Sequence, residues 1–185
     1  MHGTTGARDT NWPTYGSLLR NHGYCVFALT YGGAGPNAPT AGLRRMQDSA
    51  VQLRDFVAKV RRATGARKVD LLGHSQGTLM PSYYLRFLGG APHVKRYISL
   101  PVCAACPQMA TGSTFMAKMR RGGVVVDGVD YTNIVLQDRC AKDRSEHFEI
   151  ASSPVVARIV LNRLDPAHAQ PVRCRLVLPY VGPVG

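Results

Sequence analysis

Ten residues, Val69-Asp70-Leu71-Leu72-Gly73-His74-Ser75-Gln76-Gly77-Thr78, constrain this chain more than any other stretch. An apolar run ends in Gly-His-Ser-Gln-Gly and passes straight into a helical pattern, the strand–turn–helix context of a G-x-S-x-G nucleophile elbow. The serine at the tip of such a turn takes a strained backbone conformation so that its Oγ projects from the end of a sheet. Gly73 and Gly77 remove the side chains that would clash as strand and helix close on each other. The helix N-terminus beneath Ser75 aims N–H groups and the positive end of its dipole at developing negative charge. An ordinary strand-to-helix turn with a spare serine is the bland alternative; the flanking strand and helix decide for the elbow, with Ser75 as nucleophile.

The rest of the chain supplies the frame. Trp12, Tyr15, Leu18 and Leu19 fall at helical spacing, and Gly23 is a candidate C-cap. Residues 24–31 form a continuous apolar run, which predicts a strand buried on both faces of a parallel sheet. After a Gly/Pro/Asn loop, Leu43, Met46, Ala50, Leu53, Val57 and Val60 define an amphipathic helix closed by Gly65. The elbow strand, the elbow helix up to Gly89-Gly90 and a strand over 94–100 follow. Alternating strands and helices predict right-handed crossovers and a mainly parallel sheet. Beyond Pro101 the pattern predicts a short helix over 115–121, a strand over 131–136 and a helix capped by Ser152 or Ser153 with Pro154 near its start. Pro166 ends that helix, and a last strand spans 173–178. A chain of 185 residues accommodates one domain with one core, and no internal boundary is visible, so residues 1–185 read as a single domain.

Charge and cysteine content narrow the partners. A formal net charge of +12 invites an anionic partner, but the arginines are scattered and no nucleic-acid-binding motif accompanies them. A basic solvated surface is the simpler reading, with attraction to anionic lipid interfaces as a corollary. No run is long enough to span a membrane, and no signal peptide is visible. Of the five cysteines, Cys103 and Cys106 could form a zinc half-site or redox pair, but nothing completes a metal site. A Cys140–Cys174 disulfide would tie the late loop to the last strand, as in an exported protein. Cys25 reads as a buried free thiol in the 24–31 strand.

A serine nucleophile needs a base, and the base needs a partner fixing its tautomer. On this fold the chain order is serine, acid, histidine. His2 belongs to the opening turn, His22 precedes the nucleophile, and His74 sits inside the elbow, facing away from the site if Ser75 faces it. His93 and His168 lie beside prolines in connections. His147, in Asp143-Arg144-Ser145-Glu146-His147, lies late on a polar loop before a capped helix, which makes it the candidate base. The acid candidates are Asp127, Asp130, Asp138 and Asp143. Asp138 follows directly on the predicted 131–136 strand, where catalytic loops gather, and is chosen over the alternative of no functional acid. The oxyanion hole requires two N–H groups. Gln76, after the nucleophile, supplies one; Thr4, in the Gly3-Thr4 turn, supplies the other, against the competing reading of a flexible tail.

Together these residues resemble the secreted triacylglycerol lipases of the actinomycete class 2 type, in the α/β-hydrolase fold. His2-Gly3-Thr4 resembles that family's oxyanion turn, and Asn11-Trp12 and Gly23-Tyr24-Cys25-Val26-Phe27 its early segment. Gly73-His74-Ser75-Gln76-Gly77 resembles its elbow, and Ser145-Glu146-His147 and Leu161-Asn162-Arg163-Leu164-Asp165-Pro166 its C-terminal signature. The resemblance implies export, hydrolysis of acylglycerol or other carboxylic esters through an acyl-enzyme, and no metal or organic cofactor. Three departures accompany it. No strand or export signal precedes the His-Gly turn, and the lid-like stretch after Leu100 is shortened. The family's acid-bearing Arg-Tyr-Asp loop is also missing, because Asn133-Ile134-Val135 runs directly into Leu136-Gln137-Asp138. The rival expectations are therefore a catalytically impaired homologue that binds lipid or a partner, and an acyltransferase or thioesterase using the same elbow.

Overall fold

The computed structural model describes residues 1–100, 112–121, 126–131 and 134–184. Cys103 and Cys106 lie outside the described residues. The chain divides into two compact units, one of residues 1–11 and 27–131 and the other of residues 12–26 and 132–185.

In the first unit a short helix α1 (Arg8–Asn11) follows the opening turn, and the amphipathic pattern folds into α3 (Met46–Thr64). Met46, Ala50, Leu53 and Val57 of α3 are all buried, and Gly65 closes the helix at φ 71°, a left-handed cap that glycine adopts without a Cβ penalty. β1 (Val69–His74) leads through Ser75 into α4 (Gln76–Phe87), and a 3-10 turn (Ala91–His93) leads into β2 (Val94–Leu100). α5 (Thr114–Arg120) and β3 (Asp130–Tyr131) complete the unit. The three strands form a parallel sheet in the order β1-β2-β3, with Gly73 opposite Ser99 and His74 opposite Leu100. Arg96 of β2 faces Asp70 of β1 at 3.6 Å and Asp130 of β3 at 3.8 Å, so one guanidinium spans the three strands. Burial outweighs this positive neighbour and raises the Asp70 pKa. Met46, Leu53, Leu71, Met80, Tyr84, Val94, Tyr97 and Phe115 form the core between sheet and helices.

Met1 extends this sheet beyond β1. Its backbone nitrogen donates to Leu72 O, and His74 N–H donates to Met1 O at 3.0 Å, the alternating pattern of a parallel bridge opposite Gly73. The expected strand over 24–31 has no ladder: Cys25 and Phe27 are exposed, and burial sets in only at Thr30 and Tyr31. Apolar content marks a segment that avoids water, but a strand also needs a neighbour to pair with, and these residues pair with none in a ladder. The expectation that Cys25 is buried falls with that strand.

The second unit contains α2 (Pro13–Asn21), α6 (Leu136–Arg139), α7 (Pro154–Leu164) and the hairpin β4 (Val177–Leu178) with β5 (Gly182–Pro183). Ser153, not Ser152, caps α7: its Oγ accepts from Val156 N–H at 3.3 Å, with Pro154 in the first turn. Cys140 and Cys174 form a disulfide, as the sequence suggests. The last predicted strand shrinks to Val177–Leu178, and the predicted 131–136 strand does not reach its end, since Leu136 starts α6. Among the described residues, no helix is long and apolar enough to cross a membrane.

Candidate active site

Ser75 occupies the turn between β1 and α4 at φ 56°, ψ −125°, one of three described non-glycine residues with positive φ. Such backbone costs of order 1–3 kcal/mol and persists only where the surroundings enforce it. Here glycines enforce it. A Cβ on Gly73 would lie 2.1 Å from Gly77 O, and one on Gly77 would lie 2.4 Å from Met1 O and 2.6 Å from His2 O. The first contact is the strand–helix closure expected of an elbow. The second shows that Gly77 admits the start of the chain against the helix, which the elbow motif by itself does not encode.

The opening turn crosses directly over the serine. Gly6 N–H donates to Gly3 O, closing the turn around Thr4 and Thr5. A Cβ on Gly3 would lie 2.9 Å from Ser75 Cβ and 3.3 Å from Ser75 Oγ. The turn is therefore an ordered wall of the serine site rather than a tail. His2 anchors it from below, fully buried and stacked on Tyr31 with ring centroids 4.1 Å apart. Tyr31 N–H donates to His2 Nε2 at 3.2 Å, so the imidazole carries its proton on Nδ1, which faces Gly3 O at 2.8 Å. Burial pulls the His2 pKa from 6.5 to about 4, keeping the ring in this neutral tautomer.

A second contact to the turn comes from a glycine the sequence did not single out. Gly42, at φ 70°, sits where a Cβ would meet Gly3 O at 3.0 Å, Gln76 Oε1 at 3.2 Å and Thr4 Cα at 3.3 Å. Gln76, itself buried, donates from Nε2 to Gly42 O at 3.1 Å. The structure thus brings Thr4, Ser75 and Gln76 together around Gly3 and Gly42. Only a left-handed residue in a Gly-rich loop could have signalled Gly42, and the sequence contains many such glycines.

His74 does not face away from this turn. Its Nδ1 lies 3.1 Å from Asn11 Oδ1, and a Cβ on Gly3 would approach that same nitrogen to 3.5 Å.

The other two candidates belong to the second unit, where a local network shapes the loop around His147. Asp143 is fully buried. Its Oδ1 accepts from Ser145 N–H at 2.9 Å and from Ser145 Oγ at 2.5 Å, and its Oδ2 accepts from Ser153 Oγ at 2.6 Å. On the far side of His147, Glu146 accepts from the N–H groups of Phe148 and Glu149, starting the 3-10 turn Glu149–Ala151. The partly buried imidazole of His147 meets the Phe148 ring edge-on at 5.3 Å. Burial, and after it the Asp143 carboxylate, raises the pKa of Tyr15, whose hydroxyl reaches Ile150 O. Asp138 is exposed on α6. It lies within α6, which starts at Leu136, so it does not follow directly on a strand as expected.

A strained serine between a parallel strand and a helix N-terminus, with a glycine turn laid against it, is the geometry of a nucleophile elbow. The chain belongs to the class 2 lipase family, whose description it matches over residues 1–105, the stretch that holds the opening turn and the elbow. That family implies the α/β-hydrolase fold, with which the parallel sheet and its helices are compatible, and a lipase or esterase activity on an ester substrate. Comparison with curated proteins finds no match.

Proposed function

We propose that the protein is a serine esterase or lipase that cleaves carboxylic esters through an acyl-enzyme on Ser75. The observation that carries this reading is the strained Ser75 with the Gly3 turn laid against its Oγ. Ser75 Oγ attacks the ester carbonyl carbon while His147 accepts the hydroxyl proton. The tetrahedral oxyanion takes hydrogen bonds from the backbone N–H groups of Thr4 and Gln76. Collapse expels the alcohol, which receives the proton from His147. Water, activated by the same imidazole, then releases the acid and restores Ser75. Asp138 is the proposed orienting acid. With the lid-like stretch shortened, short- to medium-chain esters are the proposed substrates, met at lipid interfaces. The Cys140–Cys174 disulfide supports an exported protein, since such bonds persist in oxidising compartments.

Hydrolysis of a short-chain p-nitrophenyl ester by the wild type, Ser75→Ala and Asp138→Asn tests the assignment. Ser75→Ala abolishes turnover, and Asp138→Asn lowers kcat by roughly 10⁴ if it is the acid. The exposure of Asp138 favours the second reading, an impaired homologue that binds lipid or a partner. A folded wild type with no Ser75-dependent turnover would end the first reading and leave the second standing.

A further inference from the structure

Asn11 lies eight residues after Gly3, outside the turn that roofs Ser75, yet its side chain holds that turn. Asn11 Oδ1 accepts from Gly3 N–H at 3.1 Å and lies 3.1 Å from His74 Nδ1. The backbone N–H of Gly3 can only donate, which fixes the amide with its oxygen toward the turn; the reversed amide would set two donors against each other. With the oxygen so placed, His74 Nδ1 carries the proton and donates to it. Among the described residues, the buried Asn11 Nδ2 has no hydrogen-bond partner, an energetic cost borne for the sake of the two bonds to Oδ1. One oxygen atom therefore ties the residue before Thr4 to the residue before Ser75. Those are the two points from which the oxyanion donor and the nucleophile are suspended.

We infer that Asn11 is a positioning residue for the oxyanion hole, setting the separation of the Thr4 N–H from Ser75 by clamping Gly3 and His74 to a single acceptor. This inference rests on the hydrolase reading above. Gly3 N–H, being committed to Asn11, is not itself an oxyanion donor. Loss of the clamp frees the turn to shift. Displacement by about 1 Å is enough to cost on the order of 10²-fold in rate, and complete removal of one oxyanion donor costs about 10²–10³ in kcat.

The test compares the wild type, Ser75→Ala, Asn11→Ala, Asn11→Ser and Asn11→Asp on a short-chain p-nitrophenyl ester. Rates are expressed per serine titrated with a fluorophosphonate. Asn11→Ala is expected to lower kcat by roughly 10–100-fold with KM unchanged. Inhibition by a trifluoromethyl ketone, whose hemiketal places an oxyanion in the hole, should weaken by the same factor. Asn11→Asp presents the same acceptor and should recover most of that loss. Asn11→Ser keeps a polar group too short to reach both donors; it serves where Asn11→Ala does not fold, with the same expected loss. A Ser75-dependent wild type whose folded Asn11→Ala or Asn11→Ser variant keeps kcat and ketone affinity within twofold would overturn the clamp alone. So would an Asn11→Asp as impaired as those variants. A wild type that neither turns over the ester nor reacts with the fluorophosphonate would overturn the hydrolase reading and the clamp with it.

Discussion

His2 shows how a single side chain can set the conditions under which the turn exists. Its ring is neutral because Tyr31 N–H occupies Nε2 and burial disfavours the cation. Unfolded, the imidazole takes up a proton near pH 6.5; folded, it resists until about pH 4. The contribution of His2 to stability is therefore complete above pH 6.5 and is lost progressively as pH falls toward 4, by about 3 kcal/mol in all. Urea unfolding at pH 7.5, 5.5 and 4.5 checks this against His2→Gln, which lacks the titrating ring and should show a shallower decline. Equal slopes in the two proteins would remove His2 from the account. Neither this histidine nor Asn11 announced its role in the sequence. Their partners are Tyr31 and His74, 29 and 63 residues away, and no local pattern encodes a bond across such distances.

Elements whose signal is local were legible. α3, β1, α4, β2 and α7 all form where the hydrophobic period, the glycine stop or the serine cap places them. Elements that depend on a partner were not: residues 24–31 pair with nothing in a ladder, and Leu136, the expected end of the 131–136 strand, starts a helix. The same distinction divides the site. Ser75 and Gln76 follow from a motif whose geometry is built into adjacent residues, whereas the contact of the Thr4 turn with them spans the chain, and Asp138, expected just after a strand, lies within α6. The α7 cap carries a prediction at this scale. Ser153 Oγ both accepts from Val156 N–H and donates to the buried Asp143 carboxylate. Ser153→Ala removes a cap and strips one donor from that charge, and should cost about 2–3 kcal/mol in urea unfolding. A loss below about 0.5 kcal/mol, the size of a neutral surface change, would mean that Asp143 finds another donor.

At the level of the whole chain, the two units are secured by different means. The first has a sheet-and-helix core, and the second fastens its loop and hairpin region with the Cys140–Cys174 bond, which spans 34 residues. Chain-entropy estimates for a loop of that size give about 4 kcal/mol of stabilisation. Thermal unfolding with and without reductant should show a drop of several degrees or more in the transition reporting the second unit. Identical transitions would mean that the crosslink contributes nothing. The first unit is instead defined by places where nothing fits. Gly3, Gly73 and Gly77 meet side-chain or backbone atoms within 3 Å of any added Cβ, yet none of them performs chemistry. A saturation library of this protein sorted on turnover would thus report those three positions as intolerant as Ser75 itself. Only a parallel sort on abundance would separate them, because Ser75→Ala molecules accumulate and the glycine variants do not. Invariance in such a map would then measure the room left for a methyl group as much as participation in the reaction.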